Sequence, residues 1–98
     1  MSSDQKFTNI ASTGQVKTIS GGSTNIGPSR ITYIQAKGVA NSNIKIYDGT
    51  SASGTLVYEA NCGTEGIDVY VPGSGIRCRT GVYLDLTNTT SVTIGYTG

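Results

Sequence analysis

No histidine occurs anywhere in the chain. Its absence removes imidazole-based general acid–base catalysis, the usual zinc sites and the Ser-His and Cys-His nucleophile pairs. Charge is scarce as well, at 13% of residues, and sums to only +1. The seven basic residues are scattered from Lys6 to Arg79, so the clustered electrostatic footprint of a nucleic-acid binder is missing. Weak colloidal repulsion of this kind suits a chain that works inside an assembly. No apolar run approaches the roughly 20 residues of a membrane-spanning helix.

The start Met1-Ser2-Ser3-Asp4-Gln5 has neither a basic patch nor an apolar stretch, so no secretory signal is expected. Synthesis and folding are therefore expected in a reducing cytoplasm. There the two cysteines, Cys62 and Cys78, are expected to stay unbridged and behave as small hydrophobes. Two thiols sixteen residues apart with no other soft ligand do not make a metal site. Cys78 lies between Arg77 and Arg79, but strand alternation turns it away from them and inward.

What the chain does have is Thr, Val, Ile and Tyr, which favour pleated surfaces, and 14 glycines that punctuate them. Helix formers are scarce, and apolar residues never recur at helical spacing. Short alternating segments follow at about ten-residue intervals: Lys6–Ile10, Gln15–Ile19, Arg30–Lys37, Ile44–Tyr47, Thr55–Ala60, Ile67–Val71, Gly75–Arg79, Val82–Leu86 and Ser91–Tyr96. Gly, Pro, Asn and Ser separate them. The 98 residues are one domain's worth. The expectation is an all-β fold, a single antiparallel jelly-roll-like β-sandwich of about eight to nine short strands over residues 6–98, preceded by a flexible arm over residues 1–5.

Alternation assigns the faces. Ile67, Val69 and Val71 share one side, as do Val82, Leu84 and Leu86, and Val92 and Ile94. With Ile31 or Ile34, and with Ile44 and Ile46, these form the expected core. The opposite rows carry Asp68, Tyr70, Arg77, Arg79, Tyr83 and Asp85. Tyrosine and arginine are enriched at interfaces, so these six are the candidate protein–protein surface, with Tyr70 and Tyr83 as anchors. A solvated face with cross-strand ion pairs is the alternative.

The remaining motifs carry no chemistry. Of the six carboxylates, only Asp68 and Asp85 share a face, with arginines as expected neighbours, and a glycosidase needs a facing pair across a cleft. Gly49-Thr50-Ser51-Ala52-Ser53-Gly54-Thr55 lacks the lysine and the following helix of a phosphate loop and reads as a hairpin. Asn88-Thr89-Thr90 fits a glycosylation sequon but reads as a turn. No catalytic residue, cofactor or metal ligand is assigned, and the expected role is structural or adhesive.

Three stretches carry a family resemblance: Ile44-Lys45-Ile46-Tyr47-Asp48-Gly49-Thr50-Ser51-Ala52-Ser53-Gly54-Thr55, Gly75-Ile76-Arg77, and Gly81-Val82-Tyr83-Leu84-Asp85-Leu86. With the closing Thr89–Tyr96 segment, Arg30 to Tyr96 resembles small virion proteins of tailed bacteriophages, marine and cyanobacterial ones especially. Cys78 departs from the pattern, which has an aromatic or aliphatic residue there. The resemblance implies a capsid decoration (cement) protein on the virion exterior, assembled in the host cytoplasm. It would bind the major capsid protein lattice as a homo-oligomer, by analogy a trimer, without nucleic acid or membrane. A tail, neck or fibre component stands beside it as an alternative. So does a carbohydrate-binding host-recognition module, for which the six tyrosines must serve, since the chain has no Trp and one Phe.

Overall fold

In a computed structural model, residues 5–19 and 21–97 are described. They form seven strands: β1 (Lys6–Ile10), β2 (Gly14–Gln15), β3 (Ser29–Asp48), β4 (Thr55–Asn61), β5 (Ile67–Tyr70), β6 (Ile76–Cys78) and β7 (Val82–Thr97). All pairings are antiparallel, and the strands make one sheet. Among the described residues no helix is long and apolar enough to cross a membrane. Residues 1–4 of the expected arm lie outside the described part. Gln5 is tied down, its Nε2 donating to the Tyr96 carbonyl at 3.3 Å.

Two strands dominate. β3 has 20 residues and β7 has 16, and they pair from Arg30↔Thr97 to Asp48↔Val82. A straight strand of 20 residues would extend about 65 Å, yet the longest dimension of the molecule is 40 Å. The ribbon therefore folds back on itself. The register shows how far: Cys78 pairs with Ser29 at one end of β3, and Val82 pairs with Asp48 at the other. Four peptide steps, about 14 Å at most, separate Cys78 from Val82, so the two ends of β3 lie close together.

The bend sits where the ladder breaks, between Gly38↔Thr89 and Asn43↔Thr87. Asn41 (φ 65°) and Asn88 (φ 52°) both occupy the left-handed region there, which asparagine tolerates better than most residues. At Gly38 the backbones nearly touch: a Cβ would lie 2.3 Å from the Asn88 carbonyl oxygen and 2.7 Å from the Ser42 Cβ. Hydrogen bonds close the elbow, from Gly38 N–H to Gly63 O at 3.1 Å and from Cys62 N–H to Ser42 O at 3.2 Å. The Thr90 hydroxyl donates to Lys37 O at 3.0 Å.

Short strands line both edges of the ribbon. β1 and β2 follow β7, while β4, β5 and β6 run successively along β3. Inside the bend, Ile31, Ile34, Ile44, Ile46, Val82, Leu84, Val92 and Ile94 are buried in one core, with Val16, Ile26 and Tyr96. The nine short strands expected become seven because Arg30–Lys37 and Ile44–Tyr47 are one strand, as are Val82–Leu86 and Ser91–Tyr96. The turn residues between them bend the strands without ending them. Both Ile31 and Ile34 point inward because a bulge between Ile31 and Tyr33 resets the alternation. The Ile67, Val69 and Val71 row is half-buried, since β5 lies at the edge. Ser91–Tyr96 is enclosed between β1 and β3.

Two outcomes follow from the packing. Gly38→Ala should lower stability by about 1–3 kcal/mol, the usual range for forced overpacking. Gly27→Ala, whose Cβ meets nothing within 4 Å, should be near neutral, and urea midpoints compare the two. Both thiols are free and buried, and their backbones are held far apart along β3, Cys62 at Ser42 in the elbow and Cys78 at Ser29 at the strand's start. Burial, with the Asp48 carboxylate adding to it, pushes the Cys78 thiol up from 9.0 to about 11. Because the folded value is raised, the protonated thiol's contribution is complete below pH 9.0 and lost as pH climbs through about 11. Native protein at pH 8 should leave Cys78 unlabelled by a thiol reagent, whereas denatured protein should label at both cysteines.

Candidate functional site

The six candidate interface residues do not gather on one surface. Asp68 and Tyr70 lie on β5, opposite Gln35 and Tyr33 of β3. Arg77 lies on β6 opposite Arg30. Tyr83 and Asp85 lie on β7 opposite Tyr47 and Lys45 of β3, beyond the bend. Arg79 is past the end of β6. The arginines expected beside Asp68 and Asp85 are replaced as cross-strand partners by Gln35 and Lys45. Alternation gives the parity of a residue on its own strand but not the identity of the neighbouring strand, and β6 pairs with β3.

Two transverse rows of aromatic side chains result, one on each side of the bend. In the first, Phe7 pairs with Gly95, Gly95 with Tyr33, and Tyr33 with Tyr70, across β1, β7, β3 and β5. Phe7 and Tyr33 meet edge to face, with centroids 6.0 Å apart at 73°. They lean over Gly95, where a Cβ would lie 2.8 Å from both Phe7 Cε2 and Tyr33 Cβ. Tyr70 extends the row into solvent at 73% exposure, and Phe7 is 57% exposed.

A polar row runs beside this one, two residues along each strand: Asn9, Thr93, Gln35 and Asp68. The Asn9 amide donates to Ser91 Oγ at 2.8 Å and Thr93 Oγ1 at 3.1 Å, which fixes its orientation. The Asp68 carboxylate raises the pKa of the neighbouring Tyr33 hydroxyl above its ordinary 10.0, chiefly as a potential hydrogen-bond acceptor, with burial and its charge adding to the effect. A shallow cleft of about 420 Å³ continues the face past Gln35, Lys37, Glu65, Asp68 and Ser91.

The second row comprises Tyr83, Tyr47 and Leu56 on β7, β3 and β4. The two rings stand 6.4 Å apart at 59°, and Leu56 is 47% exposed. Its flanking row is charged: Asp85, Lys45 and Glu59 lie side by side. Phe7, Tyr33 and Tyr47 thus belong to the candidate surfaces although the sequence reading singled out only Tyr70 and Tyr83. Tyr47 was accessible to alternation, because Ile44 and Ile46 point inward. Tyr33 was hidden by the bulge preceding it.

Among the described residues no group of three or more His, Cys, Asp or Glu side chains is arranged to hold a metal ion. The most heavily bonded carboxylate is Asp48. Its oxygens accept from the backbone N–H groups of Arg79 at 2.9 Å, Thr80 at 2.8 Å and Gly81 at 3.4 Å. These bonds, Arg79's first and Thr80's next, hold the carboxyl below its ordinary 3.8 against an opposing desolvation. Asp48 thereby fixes the link that closes the open end of the folded ribbon.

A lowered pKa stabilises the fold above the ordinary carboxylate range, and that contribution fades as pH falls through the folded value. Asp48→Asn should therefore lose about 1 kcal/mol at pH 7, solvent screening keeping the loss small. Its stability should also fall less steeply than wild type below about pH 4. Urea unfolding from pH 7 to pH 2.5 measures both.

Compared with protein-family models, curated proteins and solved structures, the chain matches none.

Proposed function

We propose that this protein is a non-enzymatic structural component of a tailed-bacteriophage virion, a decoration (cement) protein that binds the outer capsid lattice and bridges neighbouring capsid subunits. The doubled-back sheet serves as a two-layer, sandwich-like body, so that one outer face lies on the lattice while the other remains in solvent. The observation that carries this reading is the second aromatic row. Tyr83, Tyr47 and Leu56 form an apolar strip, and Asp85, Lys45 and Glu59 border it with charges of alternating sign. Aromatic cores with polar, charged rims are the usual anatomy of protein interfaces.

The resemblance of Arg30–Tyr96 to small phage virion proteins supports the capsid partner, and by analogy a homotrimer assembled in the host cytoplasm. Few charges and a rigid β scaffold agree with a part used in many copies on a repeating surface.

Quantitative mass spectrometry of purified virions should count hundreds of copies per particle. A handful would move the protein to the neck, tail or fibre. In capsid-binding assays Tyr83→Ala should weaken attachment by about 2 kcal/mol, as buried aromatic anchors do. Asp85→Ala, at the half-buried rim, should change it by about 1 kcal/mol or less.

A further inference from the structure

The row through Phe7, Tyr33 and Tyr70 differs from its counterpart in what lies beside it. Its neighbours are an amide, a hydroxyl, an amide and a carboxylate, where the other row has acid, base and acid. We infer that this face is a binding site for a neutral oligosaccharide, with Tyr70 as the stacking residue and Gln35 and Asp68 as the hydrogen-bonding residues. The inference is independent of the capsid reading, because it concerns the face that reading leaves in solvent.

A sugar ring presents C–H groups on its faces and hydroxyls around its edge. The first need the electron-rich face of an aromatic ring, and the second need side chains that donate and accept at once. Tyr70 provides the ring, at 73% exposure, with no part in the core. Gln35 offers two donors and an acceptor, and Asp68 accepts only. The register holds these groups on adjacent strands, Tyr70 with Asp68 on β5 and Gln35 opposite Asp68 on β3. The two rows are therefore spaced by the pleat itself, roughly 7 Å along the strands and about 5 Å between them.

Preorganisation strengthens the case. Ser91 and Thr93 immobilise the Asn9 amide in the same polar row, so less side-chain freedom is lost where that row meets a ligand. The adjoining 420 Å³ cleft gives a second ring somewhere to sit. Electrostatics selects a neutral ligand. Glu65 and Asp68 line the cleft against the single cation Lys37, which disfavours uronic or sulfated sugars.

Affinity electrophoresis of the 98-residue chain tests this, in native gels containing galactomannan, xyloglucan or mixed-linkage β-glucan, with hyaluronate as the anionic comparison. At least one neutral polysaccharide should retard the protein. Tyr70→Ala and Gln35→Ala should each weaken the apparent affinity by about tenfold, about 1.4 kcal/mol, and Tyr83→Ala should leave it within about twofold. Tyr70 and Gln35 are exposed, so their variants keep the fold. No retardation by any of the three would overturn the inference. So would equal or stronger retardation by hyaluronate, binding that survives Tyr70→Ala, or an equal loss in Tyr83→Ala. Capsid attachment plays no part in the measurement, so its failure and this one are separable.

Discussion

The pairing of β3 with β7 is the constraint on which everything else depends. These strands are distant in sequence, and joining them closes a loop containing β4, β5 and β6, an entropic cost that must be met before the core repays it. The ribbon they form is too long for a molecule of this size unless it doubles over. Doubling needs a point where two backbones can approach without side chains, and Gly38 against Asn88 supplies it. It also needs the free ends held together, and the Asp48 carboxylate does this by gathering three N–H groups of the link between β6 and β7. The elbow sits midway along β3 and the clasp at its end, and the isoleucines and valines fill the space between.

This arrangement explains what the sequence disclosed and what it did not. Strand character was legible, because period-2 burial of Val82, Leu84, Val92 and Ile94 depends only on local alternation. The turn chemistry at Asn41-Ser42-Asn43 and Thr87-Asn88-Thr89 was legible too, but its meaning was ambiguous. A left-handed asparagine can end a strand or bend one, and only the pairing partner distinguishes these. Ile31 and Ile34 were incompatible under strict alternation until the bulge reconciled them. The Asp48 clasp had no local signal at all, since an aspartate before glycine is ordinary turn composition, and its partners lie some thirty residues onward.

The candidate surface was legible to the same depth. Tyr70 and Tyr83 could be placed on outward positions, but grouping them required knowing which strands are neighbours. Alternation is a property of one strand; a surface patch is a property of several. Once the register is known, the two tyrosines separate to either side of the bend, and each acquires companions that the sequence kept far away. Phe7 is nearly ninety residues from its neighbour Gly95, yet opposite it in the sheet.

The glycines then link the fold to the surface. Gly38 lets the ribbon bend, which divides the outside of the sheet into two faces. Gly95 lets Phe7 and Tyr33 close over the backbone of β7, since any side chain there would meet both within 2.8 Å. Those rings shield a strand that glycine would otherwise leave bare, as aromatic neighbours of strand glycines do elsewhere. Tyr70 has no such duty: it covers nothing in the core and stands mostly in water. A large aromatic held at the end of an ordered row and outside the core is the residue on which the proposed sugar site turns. The fold accounts for Phe7 and Tyr33, and the proposed oligosaccharide accounts for Tyr70.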